Sequence, residues 1–179
     1  MDVLSWLTRP PELPSGMPEE PTRIMLRAAT EADSDLLFDW VNRPDCLDNK
    51  LKTPGPIERS AHDAWLVDRL ASLDCGIWII ELEAVPVGQI RLEKRAEGLD
   101  VDIYLDNAAR GRGIAAVALE AARSEAGRLW PGVPLVARIK PENVESHRLF
   151  IKSGYCDVAG APDHVVYRRD PDVPKQAKQ

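Results

Sequence analysis

The sequence predicts a single α+β domain, a mixed α/β arrangement of one sheet with flanking helices. Three observations predict it. Short runs rich in Ile and Val recur along the chain, with segments of helical period interspersed among them. The run Leu99–Leu105 alternates strictly between apolar and polar residues, the mark of a strand with one buried face. No internal repeat divides the chain, and 179 residues suffice for one core that buries roughly two-thirds of the unfolded surface.

Residues 1–22 are crowded with proline and predict an irregular arm ahead of the domain, with Leu4, Trp6 and Leu7 able to dock on a neighbouring surface. The domain spans 23–170. Arg23–Ala29 reads as a first strand. Thr30 and Asp33 stand in capping-box spacing and open a helix that runs to Asn42. Residues 43–56 read as a turn-rich loop. Ile57–Ser72 predicts a helix with Ala61, Trp65, Leu66 and Leu70 on one face. Cys75–Glu83 and Val85–Arg95 are strands joined at a tight Glu83-Ala84 corner. Next comes the alternating strand, with Leu99, Val101, Ile103 and Leu105 set against Asp100, Asp102 and Tyr104. A helix from Gly113 to Leu129 and a strand at Pro134–Lys140 follow. Asn143 caps a further helix that stops at Gly154, a natural C′ residue. Tyr155–Gly160 and His164–Asp170 close the domain as short strands, and 171–179 reads as a disordered tail.

Composition excludes several classes of function. A net charge of −6 provides no global basic field, so neither nucleic acid nor an anionic membrane is expected as a partner. No stretch approaches the ~18 apolar residues of a membrane helix, and the N-terminus lacks the basic region of a secretory signal. The three cysteines are widely spaced without a C-x-x-C pair. They read as plain buried or half-buried thiols in a reducing cytoplasm, and no metal site is expected. His147 and His164 have no partner pattern and read as surface residues. The oligomeric state stays open, a homodimer included.

The informative stretch is Asp106–Ala122, DNAARGRGIAAVALEAA. A strand, a tight loop with two glycines and a helix start form the physical recipe for holding a phosphate. Gly111 and Gly113 allow backbone angles and close approach that side chains would block. First-turn amides point outward unpaired, the helix dipole favours an anion, and Arg110 and Arg112 add charged donors. Neither G-x-x-x-x-G-K-[ST] nor G-x-G-x-x-G occurs. One copy without aromatic interleaving, in an acidic chain, does not fit an RGG-type RNA binder.

Arg110–Ala115, R-G-R-G-I-A, fits the [QR]-x-x-G-x-[GA] motif, and NVESHRLFIKSGY at Asn143–Tyr155 is similar to N-x-x-[SA]-x-x-L-x-x-K-x-G-[FY]. With DVDIYLD immediately before the loop, Ile24 to about Arg168 resembles the Gcn5-related N-acetyltransferases. The resemblance implies their fold, a central, mostly antiparallel splayed sheet flanked by helices, and acetyl-CoA as co-substrate. Backbone groups near Leu105 and Asn107 would pair with the pantetheine arm. The amides of Arg110, Gly111, Arg112, Gly113, Ile114 and Ala115 would cradle the pyrophosphate. Asn143 and Ser146 would face the thioester, and Phe150 would pack on the pantetheine. The splay between the strands at Asp100–Asp106 and Pro134–Ile139 would form the cofactor slot.

Amide formation from a thioester needs a neutral amine and a polarised carbonyl. A backbone amide near Leu105 is the family's answer for the carbonyl. For the base, Asp100 and Asp102 share the polar face of the central strand, and as a carboxylate cluster one would have a raised pKa. Many relatives carry a tyrosine acid where this chain has Phe150. A thiol has a pKa of about 8.5 and leaves with little assistance. Ser146 or a water can serve instead, with Tyr104 and Tyr155 as substitutes.

On the acceptor side, Trp40, Asn42, Pro44, His62 and Trp65 resemble the outline of a subgroup that acetylates the 4-amino group of a nucleotide-linked deoxy sugar. Trp40, Asn42, His62 and Trp65 are therefore the expected substrate-binding residues. Val41 and Leu47 stand where that subgroup has arginines. The early region is shared with ribosomal-protein N-terminal acetyltransferases, and polyamine acetylation is a third reading, which the acidic net charge favours. A non-catalytic acyl-CoA-binding regulatory module is the alternative of another class. The expected partner is a small-molecule amine.

Overall fold

The computed structural model describes residues 23–51, 55–158 and 160–171. The arm at 1–22 and the tail from residue 172 lie outside the described residues. Strands β1 (Ile24–Ala28), β2 (Cys75–Leu82), β3 (Val85–Arg95), β4 (Gly98–Leu105), β5 (Leu135–Ile139), β6 (Cys156–Asp157) and β7 (Val165–Arg169) form one sheet of order β1-β2-β3-β4-β5-β7-β6. Neighbours are antiparallel except β4 and β5, which run parallel and pair only at Leu99–Leu135 and Asp100–Val136. Beyond those two positions the strands diverge, so the splay expected from the resemblance is present.

The capping box forms, with the Thr30 amide and hydroxyl donating to Asp33 Oδ2 at 2.8 and 3.1 Å. It closes a single 3-10 turn, Glu31–Asp33, ahead of helix α1 at Ser34–Val41. Arg27 donates to both oxygens of the buried Asp33, at 3.0 and 2.8 Å, and holds its carboxyl down at about 2.

Part of the loop expected at 43–56 is helical, and 52–54 of it lie outside the described residues. Pro44–Asp48 forms a short helix, α2, started by Pro44 at a position where a missing N–H costs nothing. Helix α3 (Arg59–Ala71) turns the predicted Trp65, Leu66 and Leu70 inward, with Leu66 buried and the other two half-buried, but His62 is buried in place of the exposed Ala61. The Glu83-Ala84 corner is as tight as expected, with φ of 52° and 62°. These angles match a type I′ hairpin turn.

Helix α4 (Ile114–Leu129) packs its alanine-rich side on one face of the sheet. There Ala118, Leu119 and Ala122 meet Trp78, Ile80, Ile90, Leu92, Leu99 and Leu105. The opposite face carries a smaller core of Leu37, Trp40 and Leu66 on Ile77, Ile79 and Tyr104. Helix α5 (Val144–Lys152) starts where Asn143 Oδ1 accepts from the Ser146 amide at 3.1 Å, and ends at Gly154 with φ 79°. His147, expected at the surface, is half-buried. Its ring joins α5 to β7 through Tyr167 Oη at 3.0 Å and to the Lys140 carbonyl at 3.1 Å. Cys46 and Cys75 are half-buried, and Cys156 is exposed.

Candidate active site

The end of β4 builds the slot. The Asp106 amide donates to the Val87 carbonyl at 2.8 Å. By the alternation of an antiparallel ladder, the N–H and C=O of Leu105 then turn away from β3, toward the splay. A 3-10 turn at Asn107–Ala109 leads into Gly111 and Gly113, whose φ values of 72° and 78° are left-handed. A Cβ at either glycine would meet nothing within 4 Å, so the backbone angle requires glycine and the approach to the backbone is open. The Arg110 amide is already bonded to the Asn107 carbonyl at 3.2 Å. Among the described residues, the amides from Gly111 to Ala115 have no backbone acceptor. The cradle is thus narrower than expected by one residue, and its outward donors at a helix start fit a diphosphate. Arg112 is exposed and makes no ion pair among the described residues.

Four contacts tie α2 and its flanks to the elements around this slot. Arg43 pairs with Asp106 at the end of β4 at 2.6 Å, and Asp45 pairs with Arg110 in the loop. Lys140 after β5 donates to the Asp48 carbonyl at 2.6 Å, and Asn143 at the start of α5 donates to Asn49 Oδ1 at 2.7 Å. Arg110 also donates through Nε to the Leu105 carbonyl at 2.9 Å. Arg110 and Asn143, both expected to face the cofactor, therefore have their side chains engaged with α2.

On the other face of β4 lies a cavity of about 390 Å³, walled by Trp40, Trp65, His62 and Tyr104, with Asp102 and Arg91 in its polar part. Three of the four expected acceptor residues are brought together here. Asn42 does not line the cavity, because both polar atoms of its side chain bond the Ile57 backbone, at 2.6 and 3.1 Å. Asp102 accepts from Arg91 at 3.1 Å and from Gln89 at 3.2 Å, whereas Asp100 is bound by Arg138 away from the cavity. The carboxylate cluster expected on this strand does not form, since each aspartate has its own guanidinium. Arg91 stacks over Trp65 at 5.3 Å and lies 3.7 Å from the buried Glu93, which Arg69 and Arg95 also bind at 2.6 and 2.7 Å.

His62 sits between Phe38 and Trp65, at 5.4 and 5.8 Å, and burial pushes its pKa below the ordinary imidazole value. It is therefore a neutral nitrogen at pH 7. Burial raises the Cys46 thiol in the cavity wall to about 11, which leaves it without nucleophilic character. Burial also raises the phenols of Tyr104 and Tyr155. Phe150 is 3% exposed, edge-on to Tyr155 at 4.9 Å, so it belongs to the main core and presents little surface to a cofactor. The Ser146 hydroxyl is half-buried and makes no hydrogen bond among the described residues. Gln89 and Arg91 were missed from sequence. Their signal was the same alternation seen in β4, with Gln89, Arg91 and Glu93 interleaved with Ile90 and Leu92. Among the described residues no cluster of His, Cys, Asp or Glu is arranged to hold a metal, and no helix is long and apolar enough to cross a membrane.

A splayed sheet with a glycine loop of outward amides on one side and a walled cavity on the other is an acyltransferase scaffold. The model of the acetyltransferase (GNAT) domain matches residues 23–155, and the chain belongs to that family of acetyltransferases. A search of curated proteins finds no match. Among solved structures, the ribosomal L7/L12 α-N-protein acetyltransferase RimL in complex with coenzyme A is similar, with TM-score 0.72 and 16% identity over 86% of this chain and 96% of that one. The spermidine N-acetyltransferase of Vibrio cholerae in complex with coenzyme A and spermine gives TM-score 0.72 and 12% identity over 83% and 95%. An aminoglycoside acetyltransferase in complex with coenzyme A gives TM-score 0.64 and 18% identity over 82% and 93%. At these identities the likeness is one of fold.

Proposed function

We propose that this protein transfers the acetyl group of acetyl-CoA to the primary amine of a nucleotide-linked deoxy amino sugar. The observation that carries the reading is the aromatic-walled cavity of about 390 Å³ lying across β4 from the slot. A sugar ring offers an apolar face to Trp40 and Trp65 and neutral groups to His62 and Tyr104. Polyamines and aminoglycosides suit the cavity less well. Its single carboxylate, Asp102, is already compensated by Arg91, and Lys50 in the wall has no ion pair among the described residues. These local charges outweigh the acidic net charge of the chain, because charges beyond about 10 Å are screened. Lys50 also suits an acceptor that carries the negative charge of a nucleotide.

When bound, acetyl-CoA supplies an acetyl thioester. The amides of Gly111–Ala115 hold its diphosphate, and the Leu105 N–H, turned toward the splay, is the donor for the thioester carbonyl. Asp102 orients the acceptor's ammonium, and Asp102 or the neutral His62 takes its proton. The test is release of free thiol from acetyl-CoA with a UDP-linked 4-amino-4,6-dideoxy sugar, a set of short peptides with free N-termini, or spermidine. Release with the sugar nucleotide alone is expected. Release with only peptide or spermidine would refute the sugar assignment and leave the acetyl transfer standing.

A further inference from the structure

Arg110 and the Leu105 carbonyl are both expected to contact the acyl donor, yet here they bind each other at 2.9 Å. The same guanidinium is held from α2 by Asp45, with the Tyr104 ring 5.6 Å from its centre. Asn143 repeats the pattern, since its carbonyl oxygen caps α5 and its amide is donated to Asn49 at 2.7 Å. Groups expected to serve the slot are thus satisfied by Asp45 of α2 and by Asn49, its C-cap, and the same helix supplies Cys46 to the acceptor cavity.

From this geometry we infer that Asp45 and Asn49 are positioning residues for the acyl donor. They hold Arg110 and Asn143 in a resting arrangement that acetyl-CoA must displace, so the acceptor-side helix sets donor affinity. The inference rests on the reading of the splay as the acetyl-CoA slot. A pantetheine arm pairing with the end of β4 takes the Leu105 carbonyl and releases Arg110 Nε from it. The released guanidinium is then free for the diphosphate. Asp45 opposes that release in proportion to the strength of its own pair with Arg110. A partly exposed pair of this kind is worth up to about a fivefold change in an equilibrium constant. Its removal therefore tightens donor binding, whereas damage to a merely structural contact would loosen it.

The experiment is calorimetric titration of the full chain with acetyl-CoA, with thermal unfolding recorded for every variant. Asp45→Asn is expected to bind acetyl-CoA about three- to fivefold more tightly than the unaltered chain. Asn49→Ala, a change at an exposed side chain whose effect on folding the thermal record shows directly, is expected to tighten binding about twofold. In an Arg110→Gln background, Asp45→Asn is expected to change nothing, because its effect runs through Arg110. Unchanged or weakened affinity in both single variants overturns the inference, as does equal tightening by Asp45→Asn when Arg110 is absent. No binding of acetyl-CoA to the unaltered chain would instead overturn the assignment of the slot.

Discussion

The two faces of the central sheet are made by the same strands and are packed in opposite ways. On the α4 face, Leu99 and Leu105 of β4 meet Ile90 and Leu92 of β3 under a helix of small residues. On the α1/α3 face, the intervening residues Asp102 and Tyr104 meet Gln89 and Arg91, and a cavity is left between them and the helices. Among the described residues, the buried carboxylates Asp33 and Glu93 and the buried imidazole of His62 all belong to this second side. One face is closed and holds the loop in place. The other is left open, with the cost of its buried polar groups offset by guanidinium partners and by neutralising His62. Stability and chemistry are therefore separable along a single strand, residue by residue.

That separation can be broken in a definite order. The largest effect belongs to Asp102→Asn, expected to lower kcat/KM for the acceptor by about 10²–10⁴ while acetyl-CoA affinity and the thermal transition hold. A proportional loss of stability would show that Asp102 is structural. Next, Ile90→Ala on the closed face should cost about 2–5 kcal/mol in urea unfolding. Trp65→Ala, half-buried on the open face, should cost less than that and raise the acceptor KM about tenfold.

Acid should attack the open face in two steps. The His62 pKa lies below 6.5, so its contribution is complete above that pH and is lost as the pH falls. The Asp33 carboxyl titrates at about 2 instead of 3.8, so its contribution is present above pH 3.8 and lost as the pH falls through about 2. With Arg27 partly exposed, that second loss is about 1–2 kcal/mol. Thermal unfolding against pH should lose the upper step in His62→Phe and the lower one in Asp33→Asn.

What was legible in sequence was local. The alternation of β4, the glycines of the loop, the Asn143 cap and the Thr30–Asp33 box each depend on residues within a few positions of one another. Helix α2 was not legible, because five residues show no helical stripe and its stability comes from Arg43, Asp45 and Asn49 reaching partners far along the chain. The pairing of Asp100 and Asp102 failed for a geometric reason. Residues two apart on a strand sit about 6.6 Å from each other, so a guanidinium from a neighbouring strand reaches each before they reach one another. Such cross-strand neighbours are set by register. So are Gln89 and Arg91, which register alone brings beside Asp102.

The β2–β3 turn has a consequence for how the chain reaches this structure. Both central residues of a type I′ turn need positive φ, and an L-residue with a Cβ pays roughly 1–2 kcal/mol there. Glu83 and Ala84 meet that need without glycine or asparagine. The corner is braced from outside, with the Glu83 amide donating to the Arg23 carbonyl at 3.0 Å and the Arg23 amide to Glu83 Oε1 at 2.7 Å. The turn's own residues do not favour its closure, so the expected order is that the hairpin closes with β1, nearly sixty residues upstream of the turn. Replacing the corner with Glu83→Asn and Ala84→Gly should speed folding by roughly tenfold in stopped-flow experiments and leave the unfolding limb almost unmoved. A change confined to the unfolding limb would mean that the corner closes after the barrier has been crossed.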